Sequence, residues 1–150
     1  MIYKVDRLSN NYDKIFPLVR KAWDEVDQRS EHMKLDPDID TYTELEDNGM
    51  IRLYLVYLDE TEQDLVGFLI AIIQPVLHSK SKFQATTDVV YVDPNHRGVG
   101  AKLISLAEND LREEGVHWFS FAMKEEWSSH SKLAEKLGFK LNERIYQKVL

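Results

Sequence analysis

The sequence predicts one α/β domain over residues 1–150, with a central mixed, mostly antiparallel sheet of six to seven strands flanked by about four helices. Three observations carry this prediction. Three strand patterns follow one another between Ile51 and Val92 with no helix between them, which calls for an antiparallel meander. A strand, helix, strand succession from Phe83 to Met123 then requires a parallel crossover. No internal repeat, low-complexity tract or linker divides the chain, whose length suits a single core.

The elements follow in order. Ile2 to Leu8 alternates and reads as a strand at the sheet edge. Asn10 and Asn11 offer N-cap chemistry to a first helix, whose buried face is Ile15, Phe16, Val19, Trp23 and Val26. Pro17 sits near its first turns, where a missing N–H costs least. After Asp36-Pro37, Thr41 to Asp47 is a short amphipathic helix ending at Asn48-Gly49. Ile51 to Leu58 and Leu65 to Val76 form a hairpin around the polar turn Asp59 to Asp64. Phe83 to Val92, rich in Thr and Val, is the next strand. The following helix buries Leu103, Ile104, Ala107 and Leu111 and stops at Gly115. Val116 to Met123 is a strand whose Trp118, Phe119 and Phe121 suit a buried sheet. Ser128 to Leu137 is a short helix closed by Gly138, and one or two strands from Phe139 to Leu150 end the fold.

Composition narrows the function. With no cysteine, disulfides, thiolate zinc sites and thiol nucleophiles are excluded, and nothing calls for a metal. The N-terminal residues lack the apolar run of a signal peptide or membrane helix, so a cytoplasmic location without a membrane partner is expected. A net charge of -7 argues against nucleic acid, which needs clustered Lys and Arg. Ten acids stand against two bases between Asp24 and Asp47, a local balance of -8. Such a run is either a solvated surface or a field that attracts a cationic amine.

The segment YVDPNHRGVGAKLISLAENDLREEG places Gly98 and Gly100 between a strand end and a helix start. Backbone N–H groups at the positive end of a helix favour a phosphate or pyrophosphate there. A Walker loop fails, because Gly100 is followed by Ala101, Lys102 and Leu103 rather than by Lys and a hydroxyl residue. A GxGxxG dinucleotide loop fails as well, because Leu103 stands where its last glycine belongs.

What remains resembles the acetyl-CoA loop of the GNAT superfamily: Arg or Gln, two residues, Gly, one residue, then Gly or Ala, after a strand that ends near a proline. The match runs in two registers. From Asn95, both Gly98 and Gly100 fall into place, at the cost of Asn for Arg or Gln. From Arg97, the lead residue and Pro94 fit, but Lys102 replaces the last small residue. The first register is preferred because it keeps both close backbone approaches. SKLAEKLGFKLNERIYQKVL is similar to the family's final helix and closing strands, with Leu137, Gly138 and Phe139 at the helix end, and the strand order matches too. AWDEV, PVLHS, TTDVVYVDPNHRG and ERIYQKVL more weakly resemble small GNAT-like proteins of bacteriophages.

The resemblance implies transfer of an acetyl group from acetyl-CoA to an amine, either a cationic small molecule or a protein lysine. It implies contacts from Val90, Tyr91 and Val92 to the acyl arm, and from His96, Arg97, Gly98, Val99, Gly100 and Ala101 to the pyrophosphate. Without cysteine there is no Cys-acylated intermediate, so direct attack in a ternary complex follows. The base candidate is Asp88, a carboxylate in an apolar strand; a period of two puts it on one face with Val90 and Val92. His78 is the second candidate, since an imidazole ordinarily titrates near neutrality. Glu25 is a candidate contact for a cationic substrate. Many family members carry an acid tyrosine in the last helix where Ala134 stands here; Tyr146, Tyr91, Ser128, Ser129 or water remain as substitutes. The alternatives are a GNAT-fold binding protein without catalysis and an adaptor without cofactor. The oligomeric state is open, a homodimer included.

Overall fold

The computed structural model describes residues 1–26, 28–96, 98–124 and 131–150, with the side chains of residues 25, 26, 28 and 30 outside that description. Its sheet holds five strands in chain order: β1 (Ile2–Asp6), β2 (Ile51–Tyr57), β3 (Leu65–Pro75), β4 (Phe83–Val92) and β5 (Trp118–Ser120). The first three pairings are antiparallel and β4 with β5 is parallel, so the predicted meander and crossover both form. The helices are α1 (Tyr12–Val26), α2 (Ile39–Asp47), α3 (Val99–Glu113) and α4 (Ser131–Lys136).

The sheet has an apolar cluster on each face, because its central strands are buried on both sides. Alternation divides them. Tyr54, Val56, Val66, Leu69 and Ala71 meet α3 through Leu103, Ile104, Ala107 and Leu111, the face predicted for that helix. Leu53, Leu55, Tyr57, Phe68 and Ile70 meet Ile15 of α1, with Tyr42 and Leu45 of α2 packed alongside. Gly67 on β3 is a close approach: a Cβ there would lie 2.9 Å from the Tyr91 carbonyl oxygen and 3.1 Å from Val56.

Several details differ from the sequence reading. Asn11 caps α1 with its carbonyl, which accepts from Lys14 and Ile15, while its side-chain amide donates back to Arg7 O at 2.8 Å. Five strands form among the described residues, not six or seven. Lys140 to Leu150 adopts neither helix nor strand and is exposed throughout. The physical reason lies next door. β5 pairs over only three residues, too short a ladder to template a further strand, and the tail intersperses Leu141, Ile145 and Val149 with four charges. Trp118 is not core but 58% exposed, whereas Phe119 and Phe121 pack on Phe139 at 5.6 and 6.0 Å between ring centroids.

Candidate active site

The site begins with a fault in the sheet. Ile70 of β3 pairs with Val89, but the next residue, Ala71, pairs with Thr87, so Asp88 is an extra residue on β4. This bulge shifts the strand's phase. Paired residues share a face, which puts Thr87 with Ala71 and Val90 with Leu69 on the α3 side, and Val89 with Ile70 on the α1 and α2 side. Unbroken alternation would have grouped Asp88 with Val90 and Val92. Instead the residue that shares their face is Thr87, and the exposed Asp88 carboxylate accepts a hydrogen bond from Tyr42 Oη of α2 at 3.0 Å.

At the same level β5 leaves β4. The parallel ladder runs from Gln84–Trp118 to Thr86–Ser120 and ends there. The next bond is not backbone to backbone: Ala122 N–H donates to Thr87 Oγ1 at 2.8 Å. Among the described residues, Val89 to Val92 have no partner strand on the β5 side. Val90 and Val92 are part of the α3-side cluster, while Tyr91 turns to the opposite face and stacks on Phe68 at 5.8 Å.

β4 leads into the glycine loop. Asp93 Oδ1 accepts from Asn95 N at 2.8 Å and from its side-chain amide at 3.0 Å, which folds the turn and holds the Asp93 carboxyl below its ordinary range. Asn95 is thus spent on the turn. His96 donates its backbone N–H to Asp93 O at 2.9 Å, and its ring Nδ1 lies 3.7 Å from that residue's carboxylate. Gly98 is the N-cap of α3 with φ +83°, a left-handed conformation that favours glycine, and the helix starts at Val99. That boundary fits the register that begins at Asn95. A Cβ at Gly98 would meet no atom of the described residues beyond its chain neighbours within 4 Å. At Gly100 a Cβ would meet Val92 Cγ2 at an ordinary 3.6 Å, so among the described residues no atom requires glycine there. Val99 is buried among the α3-side cluster and offers outward only its backbone. Amides at a helix start, in line with that strand edge, fit the pyrophosphate and the arm of an acyl-CoA.

The remaining candidates scatter. His78 lies in the loop between β3 and β4, ten residues before Asp88, and Phe83, where β4 starts, is itself five residues or roughly 16 Å along the strand from Asp88. Tyr146 is 89% exposed in the tail. Glu25 lies on α1 with its side chain outside the described residues, as do Arg97, Ser128 and Ser129. The neighbouring Trp23 is engaged, donating Nε1–H to Met33 O at 3.2 Å.

Of the acidic segment, Asp38 caps α2 through Thr41, and Glu46 and Asp47 bind Arg7, so those three acids hold structure together. Burial first, and the Asp88 charge second, push the Tyr42 phenol well above its ordinary range and keep it a donor. A shallow groove lined by Tyr12, Asp13, Phe16, Pro17, Arg20 and Ile39 opens beside it, with Phe16 and Tyr42 6.0 Å apart. Sequence reasoning missed Tyr42 and Thr87. The spacing of Ile39, Tyr42 and Leu45 marks Tyr42 as inward-facing, but nothing in the sequence marks the bulge.

The sequence profile of the acetyltransferase (GNAT) family matches residues 12–139. The chain belongs to the GNAT acetyltransferase family, a class that generally draws its acyl group from acetyl-CoA. Solved structures share the fold at low identity. An aminoglycoside acetyltransferase from an uncultured soil metagenomic sample superimposes with a TM-score of 0.71 at 20% identity, over 99% of this chain and 95% of that one. Ribosomal-protein-alanine N-acetyltransferase from Brucella melitensis biovar Abortus 2308 gives 0.68 at 16%, over all of both chains. Glucosamine-6-phosphate N-acetyltransferase from Arabidopsis thaliana gives 0.69 at 14%, over 99% of each. No curated protein matches the chain significantly. Among the described residues no helix is long and apolar enough to cross a membrane.

Proposed function

We propose that the chain transfers an acetyl group from acetyl-CoA to a cationic amine, a small molecule or a lysine side chain, by direct attack in a ternary complex. The observation that carries this reading is the parting of β4 from β5 beyond Thr86 and Ser120, in line with the glycine start of α3. The backbone amides from Gly98 to Ala101, with His96 and Arg97, hold the pyrophosphate, and the edge at Val90 to Val92 holds the arm. When bound, acetyl-CoA supplies an acyl carbon activated as a thioester.

Asp88 accepts the amine proton from the opposite face, where Tyr42 fixes one of its oxygens. The amine therefore approaches from the α1 and α2 side, past Asp40 and Glu44 of α2, with Glu25 a further contact for its charge. The solved relatives, by their names, act on amines. His78 and Tyr146 take no part in this reading, which rests on Asp88 and its bond to Tyr42.

The test combines binding and turnover. Acetyl-CoA is expected to raise the melting temperature of the wild type, and Gly98→Glu, which fills the space over the amides, to abolish that rise. CoA release over a panel of amines is expected to collapse in Asp88→Asn. Equal turnover in Asp88→Asn would remove the base. A second reading, a GNAT-fold binding protein without catalysis, is favoured by Ala134 of α4, which carries no hydroxyl. It predicts the same stabilisation with no CoA release from any amine.

A further inference from the structure

Thr87 stands where three observations meet. It is the first residue of β4 beyond the ladder to β5, it shares the face of Val90 and Val92, and it is buried at 6% exposure. Its Oγ1 takes the Ala122 N–H, so one lone pair fixes the hydroxyl between the two parting strands. A hydroxyl also carries one donor. Among the described residues nothing is recorded as accepting that proton, although buried polar groups ordinarily use what they have.

We propose that Thr87 donates a hydrogen bond to the thioester end of the acyl donor, in the gap between β4 and β5. The inference rests on the reading that the arm of acetyl-CoA runs along Val90 and Val92. Reach supports it. Five residues separate Val92 from Thr87, roughly 16 Å at the usual rise. The pantetheine arm has roughly a dozen bonds, which at polypeptide bond lengths span about 14 Å. An arm anchored at the start of α3 thus ends near Thr87. The amine attacks in its neutral form: as the C–N bond forms and the C–S bond breaks, the electron pair goes to sulfur and the one amine proton lost goes to Asp88. The Thr87 hydroxyl keeps its own proton and stabilises the charge by hydrogen bonding alone. It thereby supplies at the strand end a donor that Ala134 does not supply from α4.

The test is calorimetric and needs no turnover. Acetyl-CoA and the nucleotide half of CoA, ending at the pyrophosphate, are titrated into wild type, Thr87→Val and Thr87→Ser. Thr87→Val is expected to weaken acetyl-CoA by about threefold to tenfold, the worth of one hydrogen bond, and to leave the fragment unchanged. Thr87→Ser restores wild-type affinity. Equal weakening of both ligands, or of neither, overturns the proposal and reduces Thr87 to a strand clasp, while the acyl-CoA site stands. Failure of the wild type to bind either ligand refutes the site itself, and this inference with it. Should Thr87→Val not fold, Thr87→Cys fills a similar volume with a weak donor and makes the same comparison.

Discussion

Thr87 and Asp88 are adjacent in sequence yet serve opposite faces of the sheet, because the bulge turns one toward α3 and the other toward Tyr42. Glycines show the same dependence on place. Gly67 is required by the chain itself, since a methyl group there would press on the Tyr91 carbonyl at 2.9 Å, whereas at Gly100 it would make only an ordinary 3.6 Å contact with Val92. Gly67→Ala is therefore expected to lower stability by about 1–3 kcal/mol, the range for overpacking. Gly100→Ala is expected to leave both the melting temperature of the free protein and its acetyl-CoA affinity unchanged, because the loop takes Gly or Ala at that position and a methyl group there makes only an ordinary contact. Denaturant unfolding of the two variants, with calorimetric titration of the second, checks both outcomes.

At the scale of elements, α2 decides whether Asp88 has a partner, and Glu46 fastens α2 together with Asp47 on Arg7 and Thr43 on Tyr12. Glu46, 6% exposed, accepts the backbone N–H groups of Leu8 and Ser9 and the Arg7 guanidinium, tying α2 to the turn between β1 and α1. Glu46→Ala leaves buried donors without acceptors, and a loss of about 1–3 kcal/mol is expected in thermal or denaturant unfolding. Because Tyr42 rides on the same helix, turnover on amines should fall in that variant more than acetyl-CoA affinity does. Equal losses in both would mean that α2 supports the fold alone. Glu46→Gln, which keeps an acceptor, should recover most of the stability.

For the whole molecule, pH reports on buried phenols and on engaged carboxylates. Burial first, then bonds to Asp88 and Asp110, raise the Tyr42 and Tyr54 phenols. A folded pKa above the unfolded one means that the protonated form is favoured by folding. Their contribution is thus fully present below about pH 10 and is lost as pH rises through the folded values. Tyr42 and Tyr54 should accordingly ionise only with cooperative unfolding, seen as tyrosinate absorbance that rises together with loss of circular dichroism. A gradual rise in absorbance from all seven tyrosines before unfolding would contradict this. Asp38 and Asp93 are held low by the Thr41 hydroxyl and the Asn95 N–H. Their contribution is present above about pH 4 and is lost as pH falls through their depressed values, so stability should decline on that side as well.

The sequence by itself determined what periodicity and spacing can carry. The meander, the buried face of α3, the limits of β4 and the glycine start of α3 all follow from local patterns, and they were legible for that reason. Only the tertiary structure decided the rest. Whether Asp88 joins Val90 or turns toward Tyr42 depends on one extra residue against β3, and a bulge leaves no period of its own in the strand that carries it. Three of the ten acids between Asp24 and Asp47 proved to be a cap and a fastening, because their partners, Arg7 and the Leu8 amide among them, come from another part of the chain. The closing strands expected from Phe139 to Leu150 fail on the same ground: a strand is a property of two segments, and the three-residue ladder of β5 does not supply the second.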